Sequence, residues 1–359
     1  MDRASAIELL AGANTVHLAS STGDDEPVLR VVHAVVVDGW LLFHGAPAGE
    51  KMDIIGRRAV VSAEEIVASI PSYFVDPERA CPATTFYRSA QVHGTIERID
   101  DVQLKAAMLA ALMSKHQPEG GHVPITAEHP LYRKAIEGVL VLGLRCDNLD
   151  GKAKLGQNRN PAEITRIVEL LWARGHAGDA RAIDLVLRAN PHVPRPNFLR
   201  GPSDVRLVCA MGERDADEAT QLLRNTYWQE GTKPENIRRS LLGSTAWVGA
   251  RDASGTLVAM ARAMSDGAKC AWLYDVIVLQ DRHRDGLGTA IVQLLLDHPA
   301  VRGVDRVLLN TRDAERFYER FGFRNHVVSP DRRLSQMILD RTNGKVRVPS
   351  TNVLASVLG

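Results

Sequence analysis

The stretch VIVLQDRHRDGLGTAIVQLLL, residues 276–296, joins an apolar segment, a polar loop and an amphipathic segment. Residues 271–279 form an almost continuous apolar run, which predicts a buried strand, and residues 287–296 have helical spacing. Gly286 and Gly288 lie where the loop enters this helix. The first amides of a helix lack intrahelical partners and attract anions, and glycine lets a phosphate approach the backbone. The stretch therefore predicts an anion-binding loop, a weak signal by itself.

A second motif, RFYERFGF at residues 316–323, places Tyr318 on a predicted helix that is followed by Gly322 and a strand. Together the two motifs resemble the GNAT superfamily of N-acetyltransferases, over about residues 205–340. The resemblance implies an α+β fold with a central mixed sheet. Members hold the pyrophosphate of acetyl-CoA with a loop of the form Q/R-x-x-G-x-G/A, splay the preceding strand, and place a tyrosine near the coenzyme sulfur. In this chain His283 takes the place of the usual Gln or Arg.

The resemblance implies acetyl transfer to a small-molecule primary amine. A backbone amide of Val276 or Val278 would stabilise the oxyanion, and Tyr318 would protonate the leaving thiolate. A core tyrosine bonded to the backbone is the alternative for Tyr318. Asp275 is the candidate base, and a structural carboxylate that caps a loop is its alternative. The residues expected to bind acetyl-CoA are Val276, Ile277, Val278, His283, Arg284, Asp285, Gly286, Leu287, Gly288, Thr289 and Thr311.

Two neighbouring aromatic residues, Tyr227 and Trp228, precede a polar segment in the same half of the chain. They could form a wall of the acceptor pocket. Core packing is the alternative, because large aromatic side chains commonly serve that role.

The first half of the chain predicts many short strands and few helices, a pattern typical of a small barrel. Asp38-Gly39 lies between the apolar runs VVHAVVV and WLLF and predicts a hairpin. The strands are expected over residues 15–20, 28–37, 40–43, 59–68, 87–99, 138–146 and 152–155, with helices over residues 4–11, 102–113, 161–173 and 180–187.

Two motifs in this half carry groups suited to a phosphate and a flat ring: FHGAPAGEKMD at 43–53 and TFYRS at 85–89. They resemble the pyridoxamine 5'-phosphate oxidase-like FMN-binding split barrels, especially the nitroimidazole-resistance type. The segment at 151–175, which contains KLGQNR, is similar to the tail of PaiB-like FMN-binding regulators, with Gly156 where serine is usual. The resemblance covers about residues 5–190 and implies a homodimer with FMN at the subunit interface. The residues it implies in FMN binding are His44, Gly45, Lys51, Met52, Arg88, Ser89 and Gln157.

His44 has three possible roles: a contact to the flavin or its substrate, a structural residue, or a ligand to haem, the minor alternative to FMN. Family members include oxidases, reductases, haem-binding proteins and flavin carriers, so the fold does not determine the activity.

Four prolines between residues 191 and 202 interrupt regular structure and predict a linker. The predicted organisation is a split barrel with flanking helices at 1–190, a linker at 191–203, a GNAT domain at 204–345 and a tail at 346–359.

Composition excludes several classes of protein. Lys and Arg number 44 against 43 Asp and Glu, so there is no overall positive charge of the kind that nucleic-acid binding favours. The four cysteines form no C-x-x-C pair, which argues against a metal knuckle or a disulfide framework. No signal peptide or membrane span is apparent. We expect a cytoplasmic protein with no metal, nucleic-acid or membrane partner.

The sequence therefore predicts a bifunctional enzyme, in which a flavin barrel carries out a redox step on a molecule related to the acetylated amine. The alternative is a barrel that acts as a flavin or haem sensor, or as a dimerisation module, for the acetyltransferase.

Overall fold

The computed structural model describes residues 1–202, 205–328 and 334–342. It divides into two compact units, the first comprising Met1–Ile66 with Phe86–Lys154 and the second Val67–Thr85 with Leu155–Gly359. The predicted tail, 346–359, lies outside the described residues. Within the described residues, no helix combines the length and apolar composition needed to cross a lipid bilayer.

The first unit is built on two antiparallel sheets, and β5 and β6 continue from it into the second unit. The sheet orders are β2-β1-β5-β6-β9 and β3-β4-β8-β7. The strands are β1 (Val16–Ser21), β2 (Pro27–Val32), β3 (Ala34–Val37), β4 (Trp40–Gly45), β5 (Arg58–Ile70), β6 (Thr84–Thr95), β7 (Glu97–Ile99), β8 (Leu140–Arg145) and β9 (Leu149–Lys154); the helices are α1 (Arg3–Gly12), α2 (Glu50–Asp53), α3 (Val102–His116) and α4 (Arg133–Gly138).

The predicted hairpin is confirmed: Val37 pairs with Trp40 across Asp38 and Gly39, which both have positive φ. The single strand predicted over 28–37 is wrong, because the chain breaks at His33 and the two pieces join different sheets. In β2 only Val28 and Val32 are buried, and they lie on one face of the strand, whereas β3 buries the consecutive residues Ala34 and Val35. One continuous strand would place these two residues on opposite faces of a single sheet.

The second unit contains a mixed sheet in the order β10-β11-β12-β13-β14-β16-β15. Only β13 and β14 pair in parallel, and the other neighbours are antiparallel. The strands are β10 (Arg206–Val208), β11 (Ala246–Arg251), β12 (Leu257–Ser265), β13 (Cys270–Val278), β14 (Arg306–Thr311), β15 (Arg324–Val328) and β16 (Ser335–Asp340); the helices are α5 (Pro161–Arg174), α6 (Asp179–Ala189), α7 (Ala216–Leu223), α8 (Pro234–Leu242), α9 (Leu287–Asp297), α10 (Pro299–Arg302) and α11 (Glu315–Glu319).

Helix α5 belongs to the second unit, whereas the sequence assigned it to the first domain. It starts at a capping box formed by Asn160 and Glu163, with Pro161 in the first turn. Near its other end the Trp172 ring stacks on Phe198 at 4.6 Å, and its Nε1 donates to Asp297 at 2.8 Å. The apolar face of α5 is therefore packed within the second unit.

Candidate functional site

The strands β13 and β14 separate along their length. They pair only from Cys270 to Trp272, opposite Arg306 to Leu308, although both strands continue beyond these residues. Among the described residues, the backbone of the later part of β13 therefore has no strand partner on its β14 side. An extended ligand could add hydrogen bonds to this strand edge. This is the splay that the sequence resemblance implied.

A β-bulge interrupts β13 at Asp275. Tyr274 lies opposite Arg262 and Ile277 opposite Met260, so β13 contains one extra residue here. Asp275 has a φ of 51°, a conformation that costs a non-glycine residue about 1 kcal/mol or more. Bulges redirect side chains, and this one directs the Asp275 carboxylate to three donors.

Both oxygens of Asp275 are engaged. Oδ1 accepts from Trp228 Nε1 and Gln229 Nε2, each at 3.0 Å, and Oδ2 accepts from Arg262 Nε at 2.5 Å. The Asp275 side chain is 4% exposed. A general base needs an oxygen free to take a proton, so these contacts favour the structural alternative, a carboxylate that holds the neighbouring turn.

The loop before α9 presents several unpartnered amides. Arg284 and Gly286 both have a φ of 80°, and Gly286 is the left-handed N-cap of α9, with no side-chain cap. Within the described residues, the amides of Leu287, Gly288 and Thr289 donate to no other group. Successive free amides around a left-handed turn form a concave site that suits an anion.

Of the two arginines in this loop, one is paired with a carboxylate and the other is not. Arg282 Nε donates to Asp285 at 2.8 Å, while the exposed Arg284 forms no ion pair among the described residues. The His283 ring lies with Nε2 3.1 Å from the Val278 carbonyl oxygen, so this nitrogen contacts the backbone of β13. Arg284 is thus the cation of the loop that remains available to a phosphate.

Tyr318 lies on α11 and is almost buried. Its ring packs edge-on against Phe317 and Phe323, with centroids 5.0 and 5.9 Å away. Burial, with a smaller contribution from Tyr227, raises the pKa of Tyr318 to about 12. The phenol is therefore protonated near neutral pH and can donate a proton. Thr311, a predicted coenzyme contact, is buried and accepts from the Ala314 amide at 3.1 Å.

Tyr227 and Trp228 form a short turn beside Asp275. They are 39% and 41% exposed, so they are not core residues. The Arg312 guanidinium lies 3.7 Å from the centre of the Tyr227 ring. Sequence reasoning missed Arg312 and Arg262, although Arg262 carries a charge inside an apolar strand, where a buried charge needs a partner.

In the first unit, four of the predicted FMN residues come together at the end of β4 and in α2. Lys51 Nζ donates to the His44 carbonyl at 3.3 Å. A Cβ at Gly45 would lie 2.7 Å from Lys51 Cδ, so only glycine admits this lysine conformation. Lys51 forms no ion pair among the described residues, and its charge is free to meet a phosphate, which fits the predicted group. The pKa of His44 is lowered, first by desolvation of its ring and then by the positive charge of Lys51. Met52, the residue after Lys51, has an exposed side chain.

The other predicted FMN residues belong to different elements. Arg88 and Ser89 lie on β6, in the other sheet, and Arg88 Nε donates to Glu65 at 2.8 Å. Its charge is therefore already matched by a carboxylate. Gln157 lies in the second unit, where its Oε1 accepts from the Leu155 amide at 2.8 Å.

Comparisons with known proteins give matches in both parts of the chain. Residues 2–153 match the family model of pyridoxamine 5'-phosphate oxidase, and residues 216–323 that of the acetyltransferase (GNAT) family. A comparison with curated protein sequences finds no significant match.

Among solved structures, an FAD and haem binding protein from Mycobacterium smegmatis is 21% identical, covering 43% of this chain and 72% of that chain with a TM-score of 0.35. A protein of the GNAT family from Xanthomonas campestris pv. campestris is 26% identical, covering 36% and 92% with a TM-score of 0.32. An aminoglycoside 6'-N-acetyltransferase in complex with coenzyme A is 19% identical, covering 37% and 96% with a TM-score of 0.33. The chain therefore combines a pyridoxamine 5'-phosphate oxidase-like domain with a GNAT acetyltransferase domain.

Proposed function

We propose that the GNAT domain transfers the acetyl group of acetyl-CoA to a small primary amine. The observation that carries this proposal is the splay of β13 from β14, which leads directly into the loop of free amides before α9. The pantetheine would extend along the free edge of β13, and the pyrophosphate would bind the amides of Leu287, Gly288 and Thr289 with Arg284 beside them.

The chemistry follows from the groups around this opening. The neutral amine attacks the thioester carbonyl, and a backbone amide of Val276 or Val278 stabilises the oxyanion. Collapse of the intermediate breaks the carbon–sulfur bond, and Tyr318 protonates the departing thiolate. The nitrogen of the tetrahedral intermediate loses its proton to water, and Tyr318 regains a proton from water before the next turnover. Asp275 acts as a positioning residue that holds Trp228 and Gln229 at the acceptor side.

Release of free CoA thiol from acetyl-CoA, measured with a panel of primary amines, tests this proposal. We expect amine-dependent thiol release and an N-acetylated product of matching mass. The variant Asp275→Asn tests the positioning role of Asp275. Its amide oxygen can still accept hydrogen bonds from Trp228 and Gln229, but the negative charge opposite Arg262 is lost. We expect the variant to raise the KM of the amine more than it lowers kcat, whereas loss of a base would lower kcat and leave KM unchanged. Absence of turnover with every amine would contradict the proposal.

We further propose that the barrel domain binds FMN, with its phosphate at Lys51, and carries out a redox step on a related small molecule in a cytoplasmic homodimer. The four cysteines are free, which supports a reducing compartment. The FMN would supply electron-transfer chemistry. An absorption spectrum of the purified protein, with the released cofactor identified by mass, tests this: a flavin spectrum supports it, and a haem band or a colourless protein contradicts it.

A regulatory role is the second candidate function, favoured by one observation. Val67–Thr85, which comprises the end of β5, the connection and the start of β6, belongs to the same compact unit as the GNAT domain. There Arg174 Nη1 donates to the Ser69 carbonyl at 2.7 Å. Acetylation rates would then differ between the oxidised, reduced and flavin-free protein. Equal rates in all three states would contradict regulation.

A further inference from the structure

A basic groove with a volume of about 450 Å³ lies on one face of the second unit's sheet. It spans four adjacent strands, from β13 across β14 and β16 to β15. Arg306 lies between Cys270 and Asp340 in one cross-strand row, and Trp272 and Arg324 lie in the next row. The lining therefore comes from a regular, hydrogen-bonded part of the sheet, and the volume is within the range of small-molecule sites.

The charge of this groove is unbalanced. Lys269, Arg306 and Arg324 contribute three permanent positive charges, and Asp340 is the one carboxylate among the lining residues. Asp340 lies 3.8 Å from Arg324 and also accepts from the Thr342 amide at 2.9 Å. Lys269 and Arg306 have no carboxylate oxygen within 4 Å among the described residues, although Arg306 also helps to lower the pKa of Asp340 and Lys269 that of Asp266, which is not a lining residue. An anion with about two negative charges would therefore neutralise the groove.

Two further features indicate the shape of the ligand. Trp272, half-buried, contributes an indole to the wall beside Leu308 and Ile338, which suits a flat apolar ring. His326 is the extra residue at a register shift in β15, between Asn325 and Val327, and adds a further nitrogen donor to the lining. Guanidinium groups bind phosphate oxygens in a bidentate manner.

We propose that the basic groove binds an aromatic phosphate monoester, with its ring against Trp272 and its phosphate between Arg306 and Arg324. A phosphate monoester carries about −1.5 to −2 charges at pH 7, which matches the groove. The groove lies at the start of β13, whereas the loop proposed to bind pyrophosphate follows its end, roughly 20 Å along the strand at about 3.3 Å per residue. The groove is thus a second ligand site, independent of the acetyl-CoA proposal.

Fluorine NMR of the full chain labelled with 5-fluorotryptophan tests this proposal at the groove itself. The chain has five tryptophans, so Trp272→Phe assigns the Trp272 resonance by its loss. The titrants are phenyl phosphate, inorganic phosphate and phenol. We expect phenyl phosphate to shift the Trp272 resonance saturably and at least tenfold more tightly than either of the others.

Arg306→Gln and Arg324→Gln should each weaken this binding at least tenfold. Arg239→Gln, at an exposed arginine of α8, is the matched control and should leave it unchanged. The other four tryptophan resonances report that each variant keeps its fold. An unmoved Trp272 resonance, equal binding by inorganic phosphate, or unchanged affinity in both groove variants would overturn the proposal. So would a Trp272 shift that depends on protein concentration alone, which would identify this face as an interface between two copies of the chain.

Discussion

At the scale of single residues, Tyr318 is the group whose chemistry the structure defines most sharply. Tyr318→Phe removes only the hydroxyl from a packed ring, so the fold should be retained. We expect kcat for acetylation to fall about 100-fold with the KM for acetyl-CoA unchanged, the size typical of a lost general acid. Because the pKa is about 12, ionisation of Tyr318 should cause no loss of wild-type activity below pH 10.

Steady-state kinetics from pH 6 to 10 check both statements. Tyr132→Phe, at a half-buried tyrosine of the first unit, is the matched control and should behave like the wild type. Full activity of Tyr318→Phe would instead identify Tyr318 as a core residue.

His298 gives a prediction about stability and pH. Burial lowers its pKa from 6.5 to about 4, and its Nδ1 accepts from the Ala300 amide at 3.2 Å. Below pH 6.5 the unfolded chain binds a proton that the folded state does not, so stability falls as the pH falls towards 4. We expect the free energy of unfolding to fall by about 2 kcal/mol from pH 7.5 to pH 5 through this group alone.

Urea unfolding of the wild type and of His298→Asn measures this difference. Asparagine can still cap the following helix, so the variant should retain its fold and lose about 2 kcal/mol of the pH dependence. An identical pH dependence in both proteins would contradict the assignment to His298.

At the scale of an element, Gly288 lies in the first turn of α9 with Phe317 of α11 and Val278 of β13 close to its Cα. A Cβ there would lie 3.4 Å from Phe317 Cζ and 3.7 Å from Val278 Cγ2, so a branched side chain has little room. We expect Gly288→Val to raise the KM for acetyl-CoA more than tenfold while the KM for the amine changes little. Gly303→Val, where nothing lies within 4 Å of a Cβ, is the control for a glycine substitution. An unchanged KM in the Gly288 variant would remove the loop from the coenzyme site.

Much of the second unit could be predicted from local patterns. The apolar run of β13, the glycine loop and the helix behind it follow one another in the sequence, so their contacts are local. The bulge at Asp275 and its three donors could not be predicted, because Trp228, Gln229 and Arg262 come from distant parts of the chain. In the first unit, β2 and β3 separate at His33 because they join different sheets. The spacing of apolar residues in one sequence does not show which sheet a strand joins.

At the scale of the whole molecule, the second unit includes helices that precede the predicted linker. Removing them would expose Phe198 and leave the Asp297 carboxylate without the Trp172 donor. We expect a fragment of residues 155–359 to unfold at a temperature about 10 °C above that of a fragment of residues 191–359, or the shorter fragment to aggregate. Thermal unfolding followed by circular dichroism compares the two. Equal transition temperatures would support the linker as the true domain boundary.

The assignment of Val67–Thr85 to the second unit also has a consequence for the order of events during synthesis. The first unit is complete once residue 154 has been made, but Val67–Thr85 must wait for partners that appear only later in the chain. The side chains that bond this segment come from Arg159, Arg166 and Arg174. At about 5 to 20 residues per second, the ribosome needs roughly 1 to 4 s to extend the chain from residue 154 to Arg174. During that interval the first unit would carry the ends of β5 and β6 before the residues that bond them have been synthesised.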